Sequence, residues 1–353
     1  MAEESWKVPA LVQDLAADAA EPPSRYVVPE EDRPGSLLLA PDMPEPIPIV
    51  DLSRVLTDAD EAGKLRSALQ TWGFVLVTNH GVEASLMDRR DGRITGVFPA
   101  ATGGQAEVQQ PGRGEGLQVE GYGSDPVATK EEILNWSDRL HLNVEPEDDR
   151  DLTQWPEYPA SFRDVLQEYT SKTKTVRDTI LRAMALVFEL EEDYFISQTR
   201  DKALAFARFN YYPPCPKPEL VFGHRPHTDS SVLTILLTDG VVSALQVRRD
   251  GMWYTVPCQP HTLLIFLGDS MEIMSNGEFK SPMHRVVTNQ ERERISLAMF
   301  YFADDGQVLE PAAALLDAKR PARYRKITAR DYMAGVFEVY SRGGTRFIET
   351  LKI

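Results

Sequence analysis

Cysteine is scarce in this chain: Cys215 and Cys258 are the only two among 353 residues. That number supports no disulfide framework and fits a reducing compartment. Positive charge is also short. Against 54 acidic residues stand 38 lysines and arginines, giving a net charge of −16, which argues against binding a phosphate backbone or an anionic membrane surface. No apolar run approaches the length needed to cross a bilayer. The acidic start Met1-Ala2-Glu3-Glu4 leads into no apolar core of a secretory signal. The expected setting is therefore the cytoplasm. The expected partners are small molecules rather than nucleic acid or membrane, and the expected state is a monomer. Core-building material is ample, at 42% hydrophobic residues, enough for one large domain or two ordinary ones.

The richest stretch runs from Val221 to Phe302. It holds His227-Thr228-Asp229, then His284, then Arg294-Ile295-Ser296. On a strand, residues two apart share a face, so His227 and Asp229 can bind one ion together. His284 sits on another short β-type run and can supply a third ligand. Two imidazoles and a carboxylate leave half the coordination sphere of a metal open. That suits Fe(II) that must bind an organic chelator and dioxygen. Arg294 can grip a carboxylate bidentately, and Ser296 on the same strand face adds a donor. A metal and a seat for a dianionic acid are thus expected side by side.

Upstream, Arg208, Asn210 and Tyr212 fall on one face of a strand predicted over Leu204–Tyr212. With Asn210-Tyr211-Tyr212-Pro213-Pro214-Cys215, His227-x-Asp229, His284 and Arg294-x-Ser296 in this order, the chain resembles the plant 2-oxoglutarate/Fe(II)-dependent dioxygenases. That family includes flavonol synthase, anthocyanidin synthase and the senescence-related dioxygenases. The resemblance implies a double-stranded β-helix (jelly roll) core, mainly β with flanking helices. It implies Fe(II) on His227, Asp229 and His284, and 2-oxoglutarate on Arg294, Ser296, Asn210 and Tyr212, with Arg208 nearby and ascorbate as reductant. It also implies oxidation of a small apolar or aromatic plant metabolite, a flavonoid for example, by hydroxylation, desaturation or demethylation, with release of succinate and CO2. By the same resemblance Tyr122, Leu140 and Leu142 approach the substrate. Phe300 does so by its place on the Ser296 face. Two rivals stand beside this reading: a same-fold oxidase that does not use 2-oxoglutarate, of the aminocyclopropane-carboxylate oxidase kind, and an inactive jelly-roll binding protein. The tyrosine pair Tyr211-Tyr212 favours the 2-oxoglutarate users.

The expected organisation is a helix and extended arm over residues 1–46, tethered rather than packed, then an N-terminal dioxygenase region over 47–203. The jelly-roll core spans 204–305 and a C-terminal helical lid 306–353. Helices are predicted from Asp58 to Trp72 and from Ser161 to Leu190, the second capped by Ser161. Lys130–Leu142 reads as helix then strand. Short strands divided by Asp239-Gly240, Asp250-Gly251, Gly268-Asp269 and Asn276-Gly277 make up the core. His80 is read as structural, His224 and His261 as loop or packing residues, and His141 as a surface residue. Phe266 stands where relatives often carry Asn, which bears on local packing. Residues 89–116 break the pattern, with several glycines and Pro111 where the family continues a long helix. They read either as a flexible loop or as an out-of-frame translation of a family-like stretch matching Pro99 to Gly114.

Overall fold

The computed structural model describes residues 11–18, 20–34, 45–88, 120–125, 132–199, 202–238, 240–341, 344 and 346–353. The stretch 89–116, with both of its readings, lies outside them. In chain order the first elements are α1 (Val12–Asp18), β1 (Ile49–Asp51), α2 (Ala59–Thr71), β2 (Phe74–Thr78), α3 (Ala84–Met87), β3 (Gly121–Gly123) and β4 (Asp138–Glu145). Then come α4 (Phe162–Val187), β5 (Ala205–Tyr212), β6 (Phe222–His227), β7 (Leu233–Thr238), β8 (Leu245–Arg249), β9 (Met252–Thr255) and β10 (Leu263–Leu267). The chain closes with α5 (Asp269–Met274), β11 (His284–Val287), β12 (Arg294–Tyr301), β13 (Val308–Leu309), β14 (Ile327–Thr328) and α6 (Ala329–Ser341).

The strands form an eight-stranded sheet, ordered β1-β2-β10-β7-β12-β5-β4-β3, facing a four-stranded sheet, β6-β11-β8-β9. Apart from the parallel pair β1–β2, the pairings in these two sheets are antiparallel. This is the jelly-roll arrangement with flanking helices. Period-two alternation sorts the large sheet. Leu140, Leu142, Phe209, Leu297 and Met299 join Phe162, Leu166, Tyr169 and Ile180 of α4 in one apolar cluster. The other face of the same strands looks toward the small sheet and forms the cleft.

The long helix forms as its spacing requires, with Phe162, Val165, Leu166, Tyr169, Val176, Ile180, Ala183 and Met184 buried. Ser161 does not cap it. Its backbone is already helical (φ −82°, ψ −5°), and its side chain makes no capping bond. By contrast Asp58, extended before α2, accepts from the backbone N–H groups of Asp60 and Glu61. Asp250 and Gly251, with φ of 52° and 80°, make the β8–β9 turn. Gly268-Asp269 is no strand-to-strand turn but the start of α5.

Two expectations fail for one reason. The stretch before β4 is not helical among the described residues, because Leu134 and Trp136 send their N–H groups to Arg25 O and Phe222 O. No intrahelical ladder is then left to form. That makes the described part of the N-terminal arm, residues 20–34, a packed element rather than a tether. Tyr26 meets Trp136 edge-on at 5.2 Å, and Val12, Tyr26, Leu134 and Trp136 share a small core. The Asp138 carboxylate accepts from the N–H groups of Val12 and Gln13, both at 2.9 Å. This fixes α1 to the first residue of β4.

Candidate metal centre and active site

Strands β6 and β11 pair so that His227 and His284 are direct cross-strand partners. Their rings stand 4.2 Å apart, centre to centre. Strand β6 ends at His227, so Asp229 lies just past the strand rather than on it. Its Oδ1 is nevertheless 3.7 Å from Nε2 of each histidine. The three ligand atoms lie within 4.8 Å of one another, a spread that one ion can span.

The surroundings prepare these atoms for a metal. His227 Nδ1 lies 2.7 Å from Arg225 O, and His284 Nδ1 lies 3.1 Å from Pro282 O. A carbonyl can only accept, so both Nδ1 atoms carry the proton and both Nε2 lone pairs face the shared centre. Burial, then the neighbouring His284 and His224, hold His227 well below its ordinary pKa, and the ring stays neutral. Thr234 Oγ1 donates to Asp229 Oδ2 at 2.7 Å, leaving Oδ1 free. Asp269 N donates to Asp229 O at 2.7 Å. Gly268 permits this approach, since a Cβ there would fall 1.9 Å from Ser231 O.

Strands β5, β12 and β7 build the second half of the site. Arg294 pairs with Tyr212, and Ser296 with both Asn210 and Thr238. Arg294 is 2% exposed, and among the described residues its Nε has no hydrogen-bond partner. Its Nη1 reaches Ser296 Oγ at 3.4 Å, and its guanidinium lies 5.1 Å above the Tyr212 ring. Among the described residues no carboxylate pairs with it. A buried cation left this way calls for an anionic ligand, and the far carboxylate of 2-oxoglutarate fits the donor set. Gly223 makes room for Tyr212, because a Cβ there would sit 2.8 Å from the ring. Asn210 accepts from Arg208 Nε at 2.7 Å and faces Ser296 Oγ at 3.5 Å.

The other sequence-named residues are placed unevenly. Phe300 is half-buried on the cleft face near Phe302, with ring centres 6.5 Å apart. Leu140, Leu142 and Tyr122 do not reach the cleft. They lie in the core cluster against the helices, because α4 packs on that side of β4 and takes its apolar row. The intervening Arg139, His141 and Asn143 face the cleft instead, and His141, only 8% exposed, is no surface residue. His224 is a cleft residue as well, its ring 4.2 Å from that of His227. For the β4 residues the signal was present as an odd-numbered polar row, Arg139, His141 and Asn143, opposite an even-numbered apolar one, Leu140, Leu142 and Val144. His80 and His261 are structural: His80 Nε2 lies 3.2 Å from His261 O, and His261 Nε2 lies 2.9 Å from Asp88. Phe266 stacks on Phe74 at 5.0 Å and backs the His284 ring at 5.1 Å, so the packing there is filled by aromatic contact. Tyr332 of α6 donates to Asp269 at 2.8 Å, tying the C-terminal helix to the metal loop.

Comparison with known proteins agrees with this geometry. Residues 205–303 match the family model of the 2OG-Fe(II) oxygenase superfamily. Residues 47–158 match that of the non-haem dioxygenase in morphine synthesis N-terminal region. The 2-oxoglutarate-dependent dioxygenase 11 of Oryza sativa subsp. japonica is 35% identical, over 97% of this chain and 96% of its own. The oxoglutarate-dependent flavonoid 7-O-demethylase 1 of Ocimum basilicum is 34% identical, over 99% and 92% respectively. The crystal structure of JOX2 in complex with 2OG, Fe and jasmonate superposes with a TM-score of 0.85 at 32% identity, covering 98% of both chains. With its histidine–aspartate–histidine centre and full-length likeness to these enzymes, the chain belongs to the 2OG-Fe(II) oxygenase superfamily, as a plant-type dioxygenase that uses Fe(II) and 2-oxoglutarate.

Proposed function

We propose that this enzyme oxidises a small, largely apolar or aromatic plant metabolite by hydroxylation, desaturation or demethylation, coupled to conversion of 2-oxoglutarate to succinate and CO2. The observation that carries the reading is the buried guanidinium of Arg294, which no carboxylate among the described residues pairs with, beside the His227–Asp229–His284 centre. In this reading those three residues hold Fe(II), while Arg294 and Ser296 hold the far carboxylate of 2-oxoglutarate. Asn210 and Tyr212 flank the co-substrate, and Arg208 orients Asn210. Bound together, the iron and 2-oxoglutarate supply the oxidising power for removing a substrate hydrogen.

The chain's own part is positioning and exclusion of water. The neutral His227 imidazole is ready to bind metal without first losing a proton. The Tyr212 ring shields Arg294, which strengthens its hold on a carboxylate. Phe206, Phe300 and Phe302 present half-buried rings along the inner face, a surface suited to a planar or apolar substrate. The flavonoid demethylase and the jasmonate-bound enzyme among the relatives support substrates of that kind and a place in secondary metabolism. Acidic composition and scarce cysteine support a cytoplasmic monomer.

The test is succinate release by the purified protein with Fe(II), ascorbate, 2-oxoglutarate and a panel of plant phenolics and apolar acids. Substrate-dependent succinate, lost in Arg294→Met, is the expected result. Product formed without 2-oxoglutarate would indicate an oxidase, and neither product nor metal binding would indicate a binding protein.

A further inference from the structure

Strand β4 turns Arg139, His141 and Asn143 into the cleft, opposite Asn210, Arg208 and Phe206 of β5. Here two guanidiniums share one carboxylate. Asp125 Oδ1 accepts from Arg139 Nε at 3.0 Å, and Oδ2 accepts from Arg208 Nη2 at 2.8 Å. Arg208 Nε is taken by Asn210, and Arg139 Nη1 by Gly121 O. Among the described residues of this cluster one positive charge is left over, although Arg139 is only 4% exposed. Burial, opposed by Asp125 and reinforced by Arg208, pulls Arg139 down to about 10. A guanidinium short of counter-charge behaves in that way.

His141 stands beside this surplus charge as the Cα partner of Arg208, its ring 4.7 Å from that of Phe206. Both of its ring nitrogens are buried, and among the described residues neither has a hydrogen-bond partner. Leaving such groups unmet costs about 1–3 kcal/mol each, so the position favours a ligand. Burial, then Arg139 and Arg208, keep the ring neutral, with one N–H to donate. The cluster adjoins the metal centre, since His224 Nδ1 lies 3.9 Å from Asp125 and its ring touches His227. On the apolar side Phe206 meets Phe302 at 5.6 Å. Those two rings, with Ser230, Ser270 and Tyr332 of α6, line a small cavity of about 40 Å³.

We propose that Arg139, Arg208 and His141 form a substrate subsite that takes the carboxylate of a small, singly charged apolar acid, with its hydrocarbon part against Phe206, Phe300 and Phe302. The proposal rests on the dioxygenase reading and deepens it. Fe(II) with Asp229 carries one net positive charge and Arg294 another, and together they balance the 2-oxoglutarate dianion. The surplus on the Arg139–Arg208–Asp125 cluster is then left for the substrate. A neutral phenol would satisfy His141 but not that charge.

The experiment is titration calorimetry on the full-length protein loaded with Zn(II), with and without 2-oxoglutarate. The probes are phenylacetate, cinnamate and naphthylacetate, each against its methyl ester. Acids are expected to bind at least about ten-fold more tightly than esters, a difference of about 1.4 kcal/mol. The ¹³Cε1 signal of His141, one of six histidines and assigned with His141→Gln, is expected to move with the acid and stay with the ester. Arg139→Met abolishes the preference and Arg139→Lys restores part of it. His141→Phe, which breaks no hydrogen bond, weakens the acids even if Arg139→Met does not fold. Equal affinity for acids and esters, no binding of either, a stationary His141 signal, or a preference that survives Arg139→Met or His141→Phe overturns the subsite. Failure of 2-oxoglutarate to bind overturns the co-substrate reading instead, and the comparison without it still decides the subsite.

Discussion

Replacing Arg294 by methionine separates a binding residue from a structural one, because the two roles predict opposite signs. The guanidinium is 2% exposed, and among the described residues its Nε is unpartnered and its side-chain hydrogen bond is to Ser296 at 3.4 Å. Exchanging poorly compensated buried charge for apolar volume is stabilising by about 1–4 kcal/mol. At roughly 1–2 °C per kcal/mol for a chain of 353 residues, the protein without 2-oxoglutarate should melt a few degrees higher as Arg294→Met. Adding 2-oxoglutarate at a hundred times its Kd should stabilise the parent by about 2.7 kcal/mol. The variant should gain almost nothing, since a buried carboxylate without its partner loses about 3–5 kcal/mol, or roughly two to three and a half orders of magnitude in affinity. Calorimetric melts of both proteins, metal-loaded, with and without 2-oxoglutarate, provide the assay. A variant that melts lower without 2-oxoglutarate, yet responds to it as the parent does, would refute the reasoning.

Asp229→Ala should abolish binding of one equivalent of Fe(II) or Zn(II) in titration calorimetry, while far-UV circular dichroism stays that of the parent. Gly268→Ala should cost at least about 1–3 kcal/mol in urea unfolding and weaken metal affinity, because the new Cβ would meet Ser231 O at 1.9 Å in the loop that holds Asp229. Burial raises Asp138 from 3.8 to about 6, so between these values the folded chain holds a proton that the unfolded chain has lost. That contribution is complete below pH 3.8 and falls as pH rises through about 6, by a few kcal/mol in all. Asp138→Asn should remove this component, and urea melts from pH 4 to 7 with the same slope in both proteins would exclude it.

Much of the site was legible because its residues sit on short strands, where spacing alone fixes the face. Arg294 and Ser296 fall on one face of β12, as do Arg208, Asn210 and Tyr212 on β5, whatever the rest of the chain does. On β4 the family resemblance misled, and spacing could not correct it. Alternation shows that Leu140 and Leu142 share a side, but not which side meets the helices and which the cleft. The long helix α4 decided that by taking the leucine row, so Arg139 and His141 became the cleft residues. The N-terminal arm was misread for a related reason. Proline and acidic residues give it no periodicity, and its order comes from partners such as Trp136 and Leu220, distant in sequence.

The chain's order of residues by itself determined the three metal-ligating side chains, the placing of Arg294 and Ser296 on one strand face, and hence the reaction class. Those features depend on residue chemistry and on local periodicity, both of which are written along the strand. Only the tertiary structure decided that His227 and His284 meet as cross-strand partners, that Asp229 reaches them from beyond its strand, and that Arg139, Arg208, Asp125 and His141 gather beside them. Such meetings depend on which sheet face each helix covers and on the register of strands far apart in the chain. Neither is fixed until the apolar faces have been buried against one another.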